Sequence, residues 1–130
     1  MTLLLALALA LAPATKFPGL LVEGGFQTPS GNIACNIGRL GPGQSGPRAL
    51  GCAVFSKSDK RGTATWWMRT SGSAYSGFIL ANPATNYPSL AYGRSYSWHG
   101  IRCSSARAGL TCTNLSGHGF FLSRERQRVF

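Results

Sequence analysis

The sequence predicts an all-β or mainly β domain, built as a small disulfide-bonded antiparallel sandwich or partly open barrel with a C-terminal meander. Glycine occurs 17 times and proline 7 times in 130 residues, which is typical of short strands joined by many turns. Helix caps and sustained 3.6-residue periodicity are absent after residue 14. The cysteine count is 4, and an even number behind an apolar leader indicates disulfides.

The N-terminal leader, MTLLLALALALAPA, is predicted to be a signal peptide over residues 1–14. Its apolar run, residues 3–12, meets a small-x-small cleavage pattern and has about half of the roughly 20 residues that a membrane-spanning helix needs. A helix retained in the mature chain is the alternative. We assign residues 15–25 to an N-terminal extension and residues 26–130 to one secreted β domain. We therefore expect an extracellular or periplasmic protein without a transmembrane span in the mature chain.

Two cysteine-bearing strands are predicted after a tight turn at residues 28–32, TPSGN. They cover residues 33–37 and 49–56, with a flexible loop at residues 39–48 between them. A period of two places each cysteine on an apolar face. These faces consist of Ile33, Cys35 and Ile37 in the first strand and of Leu50, Cys52 and Val54 in the second.

The central region gives the weakest structural signal. A charged turn at residues 57–63 leads into two predicted strands at residues 64–69 and 74–81. Residues 82–91 form a long connection that contains proline. We predict its exposure but not its structure.

Residues 94–124 have the rhythm of an antiparallel meander, because short strand-like segments alternate with turn residues. A four-residue hairpin loop at residues 106–109 would place Ser105 opposite Leu110. The same register brings the two cysteines of this region directly opposite each other. Turn chemistry and cysteine spacing therefore agree.

The four cysteines allow three disulfide connectivities. We predict the two sequence-local pairs, because strand-like segments with a Gly/Ser-rich connection flank each of them. These pairs are Cys35 with Cys52 and Cys103 with Cys112. No CxxC motif or cysteine–histidine spacing typical of zinc is present, so we predict no metal site and no cofactor.

Charge predicts the class of partner. Lys and Arg number 13 against 3 Asp and Glu, which gives a net charge of +10. Secreted proteins of this charge meet anionic polymers, membranes or nucleic acid. In an extended strand, Arg124, Arg126 and Arg128 would project from one face and form a candidate anion-binding row. The alternative is a solvated strand end that blunts a sheet edge.

The histidines, His118 in GHG and His99 in WHG, are assigned mainly to turns. A catalytic histidine needs a nucleophile and usually a carboxylate. Only Glu23 or Glu125 could supply the base of a hydrolase with either histidine, since Asp59 lies in a Lys/Arg-rich turn. We keep His118 as a possible functional turn and predict no catalytic residue.

Aromatic side chains could stack on sugar rings or nucleobases, although in small β domains they more often belong to the core. Adjacent tryptophans on a strand point to opposite faces, so at least one of Trp66 and Trp67 is expected inside. The remaining candidates are Trp98, Tyr75, Tyr87, Tyr92 and Tyr96.

Two stretches carry a resemblance to a known family. They are FQTPSGNIAC at residues 26–35 and the segment from Tyr92-Gly93 through GLTCTN to GHGFFLSR. In this order they resemble a family of small secreted bacterial proteins with a domain of unknown function. The family pattern has a further cysteine pair between the blocks, which residues 53–102 lack. The resemblance implies secretion and disulfides and brings no activity.

These observations predict a secreted or envelope protein that is a monomer, is not an enzyme, and binds an anionic envelope polymer or protein. No specific nucleic-acid site is evident. An alternative is a secreted inhibitor or protein-interaction module acting through the loops at residues 39–48 or 82–91. A remote alternative is a basic ribonuclease-like hydrolase that uses a Glu/His pair.

Overall fold

The computed structural model describes residues 19–41, 46–78 and 86–130, and within these ranges every regular element is a β-strand. The predicted signal peptide at residues 1–14 lies outside the described residues. No helix in the described ranges is long and apolar enough to span a bilayer. The strands are β1 (Leu20–Gln27), β2 (Ile33–Leu40), β3 (Arg48–Val54), β4 (Thr65–Arg69), β5 (Ala74–Ser76), β6 (Ser95–Trp98), β7 (Ile101–Ala106), β8 (Gly109–Thr113), β9 (Gly119–Leu122) and β10 (Gln127–Val129).

The strands form two five-stranded antiparallel meanders that pack face to face. Sheet 1 has the order β1-β2-β3-β4-β5, and sheet 2 has the order β10-β9-β8-β7-β6. One apolar cluster, with side chains from both sheets, fills the space between them. The predicted antiparallel sandwich with a C-terminal meander is therefore confirmed. Trp66 belongs to this core while Trp67 lies on the outer face of sheet 1, as expected for neighbours on one strand.

Both predicted disulfides are present, one in each sheet. Cys35 pairs directly opposite Cys52 on β2 and β3, and Cys103 lies directly opposite Cys112 on β7 and β8. All four side chains are buried in the core. Each bridge closes a short loop in the unfolded chain and contributes about 3 kcal/mol by the loop-entropy argument.

The two sheets share one internal plan. In each, the disulfide joins the second and third strands of the meander, and an aromatic side chain flanks it on either side. The inward rows are Phe26, Cys35, Cys52 and Trp66 in sheet 1 and Tyr96, Cys103, Cys112 and Phe120 in sheet 2. The rings of Phe26 and Tyr96 meet between the sheets, with their centroids 4.9 Å apart. The core is therefore two similar half-cores joined through their first strands.

The first strand of sheet 1 includes part of the segment that we assign to an N-terminal extension. Strand β1 begins at Leu20, so most of the segment assigned to an extension at residues 15–25 is the edge strand of sheet 1. A shift of register between Val22 and Gly24 breaks the period of two there, and two adjacent glycines remove side chains from the pattern. Because of these two features, β1 lacks the alternation of apolar and polar residues from which a strand is predicted.

The C-terminal strand prediction is wrong beyond Leu122. The chain reverses at residues 123–126 and returns as β10, which pairs with β9. Ser123 causes the reversal, because its hydroxyl donates to the carbonyl oxygen of Arg126 (3.0 Å) and accepts from the amide of Arg126 (2.9 Å). The three tail arginines therefore do not lie along one strand. Strand β5 is also shorter than the predicted strand at residues 74–81, part of which lies outside the described residues.

Candidate anion-binding site

Four connections meet at one end of the sandwich, which we call the basic end. They are the turns or loops at residues 28–32, 55–64, 106–109 and 123–126. Hydrogen bonds tie them together: the backbone amide of Ser58 donates to the carbonyl oxygen of Arg124 (2.9 Å), and the side chain of Asn32 pairs with both backbone groups of Ser56 (2.8 and 3.0 Å). Loops from both sheets therefore form one continuous surface.

Cations outnumber carboxylates at the basic end. Its basic residues are Lys57, Lys60, Arg61, Arg107, Arg124 and Arg126, and its acidic residues are Asp59 and Glu125. Arg61 donates to both carboxylate oxygens of Asp59 (3.0 and 3.1 Å), which holds the pKa of that carboxyl below its usual range. The ammonium of Lys57 donates to two carbonyl oxygens within its own loop and closes it. The arginines on the other two turns remain exposed.

A cleft of about 140 Å³ opens between Tyr92 and the turn at residues 123–126. Tyr92 is 40% exposed, and the guanidinium carbon of Arg107 lies 5.0 Å from its ring centroid. The ring is held by a four-residue turn in which Gly93 has a φ of 86°, as the third position of a type II turn requires. The amide of Gly93 donates to the carbonyl oxygen of Ser105 (2.8 Å), which fixes this turn to β7.

A second, wider depression of about 370 Å³ lies beside the cleft. Phe55, which is 50% exposed, and Lys57 and Lys60 line it. The Asn32–Ser56 hydrogen bonds join the two concavities, because Asn32 lines the cleft and Ser56 lines the depression. A chain-like ligand could therefore contact both.

The structure divides the predicted arginine row. Arg124 and Arg126 lie at the basic end, whereas Arg128 pairs with Phe121 on the outer face of sheet 2 and lies over the ring of Phe130 (5.1 Å to the centroid). Arg107, which the sequence argument did not single out, joins the first two. The predicted hairpin loop at residues 106–109 contains Arg107, and the tip of a hairpin projects from the end of a sheet. The exposure of Arg107 at this end could therefore have been predicted from the sequence.

The GHG segment lies at the opposite end of the sandwich and is built around Asn114. The buried amide of Asn114 donates to the carbonyl oxygens of Arg69 (3.0 Å) and Gly72 (2.8 Å), and its oxygen accepts from the amides of Ser116 (3.0 Å) and His118 (3.2 Å). This residue therefore clamps the β8–β9 turn onto the β4–β5 turn. The His118 side chain is exposed, and it is the backbone of His118 that takes part in the clamp.

His99 occupies the two-residue turn between β6 and β7. Its φ is 46° and that of Gly100 is 87°, which together match a type I′ hairpin turn. Histidine is among the residues that adopt this conformation more readily than most. The ring stands edge-on against Trp98, with a centroid separation of 5.1 Å.

The carboxylates and histidines are not brought together. Glu23, on the edge strand β1, pairs with Arg39 on β2 (3.6 Å), and Glu125 lies at the basic end, across the sandwich from both histidine-bearing turns. Within the described ranges, no group of three or more His, Cys, Asp or Glu side chains could hold a metal ion. The arrangement therefore offers cations, hydroxyls and an aromatic ring rather than an acid–base pair.

One protein-family model matches the C-terminal part of the chain. Residues 80–130 match the model of a family of unknown function, DUF6636. This segment includes the whole of sheet 2 and the YG turn of the cleft. No curated protein and no solved structure matches the chain.

The motifs that carry the family resemblance divide between the two ends. TPSGN, Tyr92 and the Ser123-Arg124 pair line the cleft at the basic end. GHG belongs to the clamp at the other end, where a side chain at Gly119 would overlap the carbonyl oxygen of Cys112. The glycines of GHG thus have a steric explanation: Gly117 has a φ of 78°, and Gly119 has no space for a Cβ.

Proposed function

We propose that this protein is a secreted or envelope binding module without enzymatic activity, and that its basic end contacts an anionic polymer. The net charge of +10 attracts polyanions over long range, and the two disulfides are compatible with an oxidising compartment. The proposal assigns binding to one surface and not to the net charge of the chain. It can therefore be tested by removing the same number of positive charges from the basic end and from another part of the surface.

The observation that carries the proposal is the placement of Arg107, Arg124 and Arg126. Their side chains are exposed at the tips of two short turns. The turn that carries Arg124 and Arg126 is fixed by the Ser123 hydroxyl, which hydrogen-bonds to both the carbonyl oxygen and the amide of Arg126. Arginine presents a planar set of donors that matches carboxylate, sulfate and phosphate groups. Because the turns are anchored, little backbone entropy is lost when a polymer binds.

The test compares two variants with the same change of charge. The basic-end variant replaces Arg107, Arg124 and Arg126 by glutamine, and the control variant replaces the equally exposed Arg69, Arg102 and Arg128. Binding to a heparin column and to an isolated anionic cell-wall polymer is measured across a salt gradient. With a salt slope of about 0.9 per ionic contact, three contacts weaken binding roughly 40-fold between about 50 and 200 mM salt.

We expect the basic-end variant to lose about two to three units of salt slope and to elute early, while the control elutes close to the wild type. Equal losses in both variants would show that total charge governs retention and would refute the basic end as the contact surface. Elution of the wild type below physiological salt from both polymers would refute polyanion binding itself.

A further inference from the structure

The geometry points to an acidic sugar residue as the unit that the cleft beside Tyr92 binds. This inference rests on the proposed function, since it names the kind of polymer that the basic end recognises. The cleft combines hydroxyls, an aromatic ring, two guanidinium groups and one carboxylate. These are Thr28, Ser30, Tyr92, Arg107, Arg124 and Glu125.

The size of the cleft limits the ligand. Its volume is about 140 Å³. Sites for larger organic ligands usually exceed about 300 Å³. The cleft itself therefore encloses no more than one ring-sized unit, and a larger ligand would extend beyond it.

Tyr92 supplies an apolar wall for a sugar ring. Its side chain stays 40% exposed on a turn that Gly93 and the backbone of β7 hold in place. The C–H face of a pyranose buries apolar surface against such a ring, while its hydroxyls stay free to form hydrogen bonds. Arg107 covers part of Tyr92 at 5.0 Å, so the site does not offer the run of free aromatic faces on which single-stranded nucleic acid stacks.

The charges of the cleft select a ligand with two kinds of polar group. Glu125 lies beside Arg124 and repels any anion that meets the arginines. The repulsion is strongest for a doubly charged phosphate or sulfate, which brings few or no hydroxyl donors to offset it. A neutral sugar would leave both guanidinium groups without an anionic partner. A uronic acid satisfies both, because its carboxylate binds Arg107 or Arg124 and its hydroxyls donate to Glu125.

The neighbouring depression extends the site along a polymer. It lies on the other side of the Asn32–Ser56 hydrogen bonds and carries Lys57 and Lys60 with the exposed ring of Phe55. A second sugar unit that leaves the cleft would meet the exposed ammonium of Lys60, while the ammonium of Lys57 is held by two carbonyl oxygens of its own loop. The basic end therefore fits consecutive units of an acidic polysaccharide.

The experiment is an isothermal titration of the wild type with a short uronic-acid oligomer, a neutral glucan of equal length, and inorganic phosphate. Tyr92→Ala is the test variant, with Tyr92→Leu to keep apolar bulk if the alanine variant unfolds. Tyr75→Ala is the matched control, because Tyr75 is 43% exposed and stacks on Trp67 on the outer face of sheet 1. Glu125→Gln tests the selection between ligands.

We expect the uronic-acid oligomer to bind at least tenfold more tightly than the glucan or phosphate. Tyr92→Ala should reduce that affinity about tenfold and Tyr75→Ala should leave it unchanged, whereas Glu125→Gln should strengthen phosphate more than uronate and so narrow the difference between the two ligands. Phosphate binding as tight as uronate binding, or uronate binding unaffected by Tyr92→Ala, would overturn the inference. If polyanion retention still depends on the three arginines in that case, the proposed function stands without the sugar site.

Discussion

Replacement of Asn114 by alanine is the sharpest test of the claim that the GHG region is structural. The Asn114 side chain is only 7% exposed, and it forms four hydrogen bonds, two to the β4–β5 hairpin of the other sheet and two within its own turn. Alanine removes all four at once. It leaves two amides and two carbonyl oxygens of the backbone without these partners.

The magnitude follows from the number of bonds and their exposure. Each hydrogen bond contributes a net stabilisation of about 0.5 to 1.5 kcal/mol, and a buried group without a partner costs about 1 to 3 kcal/mol. Ser116 and His118 are exposed, so water replaces part of what their amides lose. We therefore expect Asn114→Ala to lower the free energy of unfolding by about 3 kcal/mol, a large fraction of the roughly 5 to 15 kcal/mol of a typical domain.

Urea unfolding of the oxidised protein measures this loss. With a slope of about 1.5 kcal/mol per molar, the midpoint should fall by about 2 M without a change of slope. Asn114→Asp is the stringent companion, since it keeps the shape and puts a carboxylate oxygen against the carbonyls of Arg69 and Gly72. His118→Ala should shift stability by less than about 0.5 kcal/mol, because only its backbone takes part. A loss below about 1 kcal/mol in Asn114→Ala, or wild-type stability in Asn114→Asp, would refute the clamp.

Two further predictions concern the core. The hydroxyl oxygen of Ser105 is buried without a hydrogen-bond partner among the described residues. In the same urea assay, Ser105→Ala should therefore leave the free energy of unfolding unchanged or raise it by about 1 kcal/mol. A decrease of about 1 kcal/mol would contradict this prediction. Burial raises the pKa of Tyr96 above its ordinary value of 10.0, so the folded state keeps this proton when the unfolded state has lost it. Stability should therefore fall as pH rises above about 10, and Tyr96→Phe should reduce that fall; identical pH profiles would show that Tyr96 does not contribute.

The C-terminal sheet could be predicted in detail because independent constraints coincide there. Alternation, turn residues and cysteine spacing all require Cys103 to lie opposite Cys112, and the observed register agrees. The pairing continues one step further than predicted, to Ala106 and Gly109, which leaves a two-residue turn. Local patterns are sufficient here because each strand pairs with its neighbour in sequence.

The cleft could not be predicted in the same way. Tyr92, Arg107 and Arg124 lie on three separate turns, and only the packing of connections at one end brings them together. Periodicity specifies which face a side chain occupies but not which loops meet beyond the strand ends. The arginine row failed for a local reason, since Ser123 bonds to the backbone of Arg126 and turns the chain. The sequence does contain a signal for this turn, because Ser123 precedes Arg126 by three residues. The alternation of apolar and polar residues does not reveal that signal.

The shared plan of the two sheets puts equivalent connections at opposite ends of the sandwich. The third and fourth strands of each meander are joined by equivalent connections, residues 55–64 in sheet 1 and residues 114–118 in sheet 2. Because successive connections alternate between ends, these two lie at opposite ends. The first carries the exposed Phe55 and the lysines of the depression, and the second carries the Asn114 clamp. Both halves of the chain thus supply loops to the basic end, while Asn114 of the second half fastens the sheets at the far end. We therefore predict that charges can be exchanged at the basic end with little effect on folding.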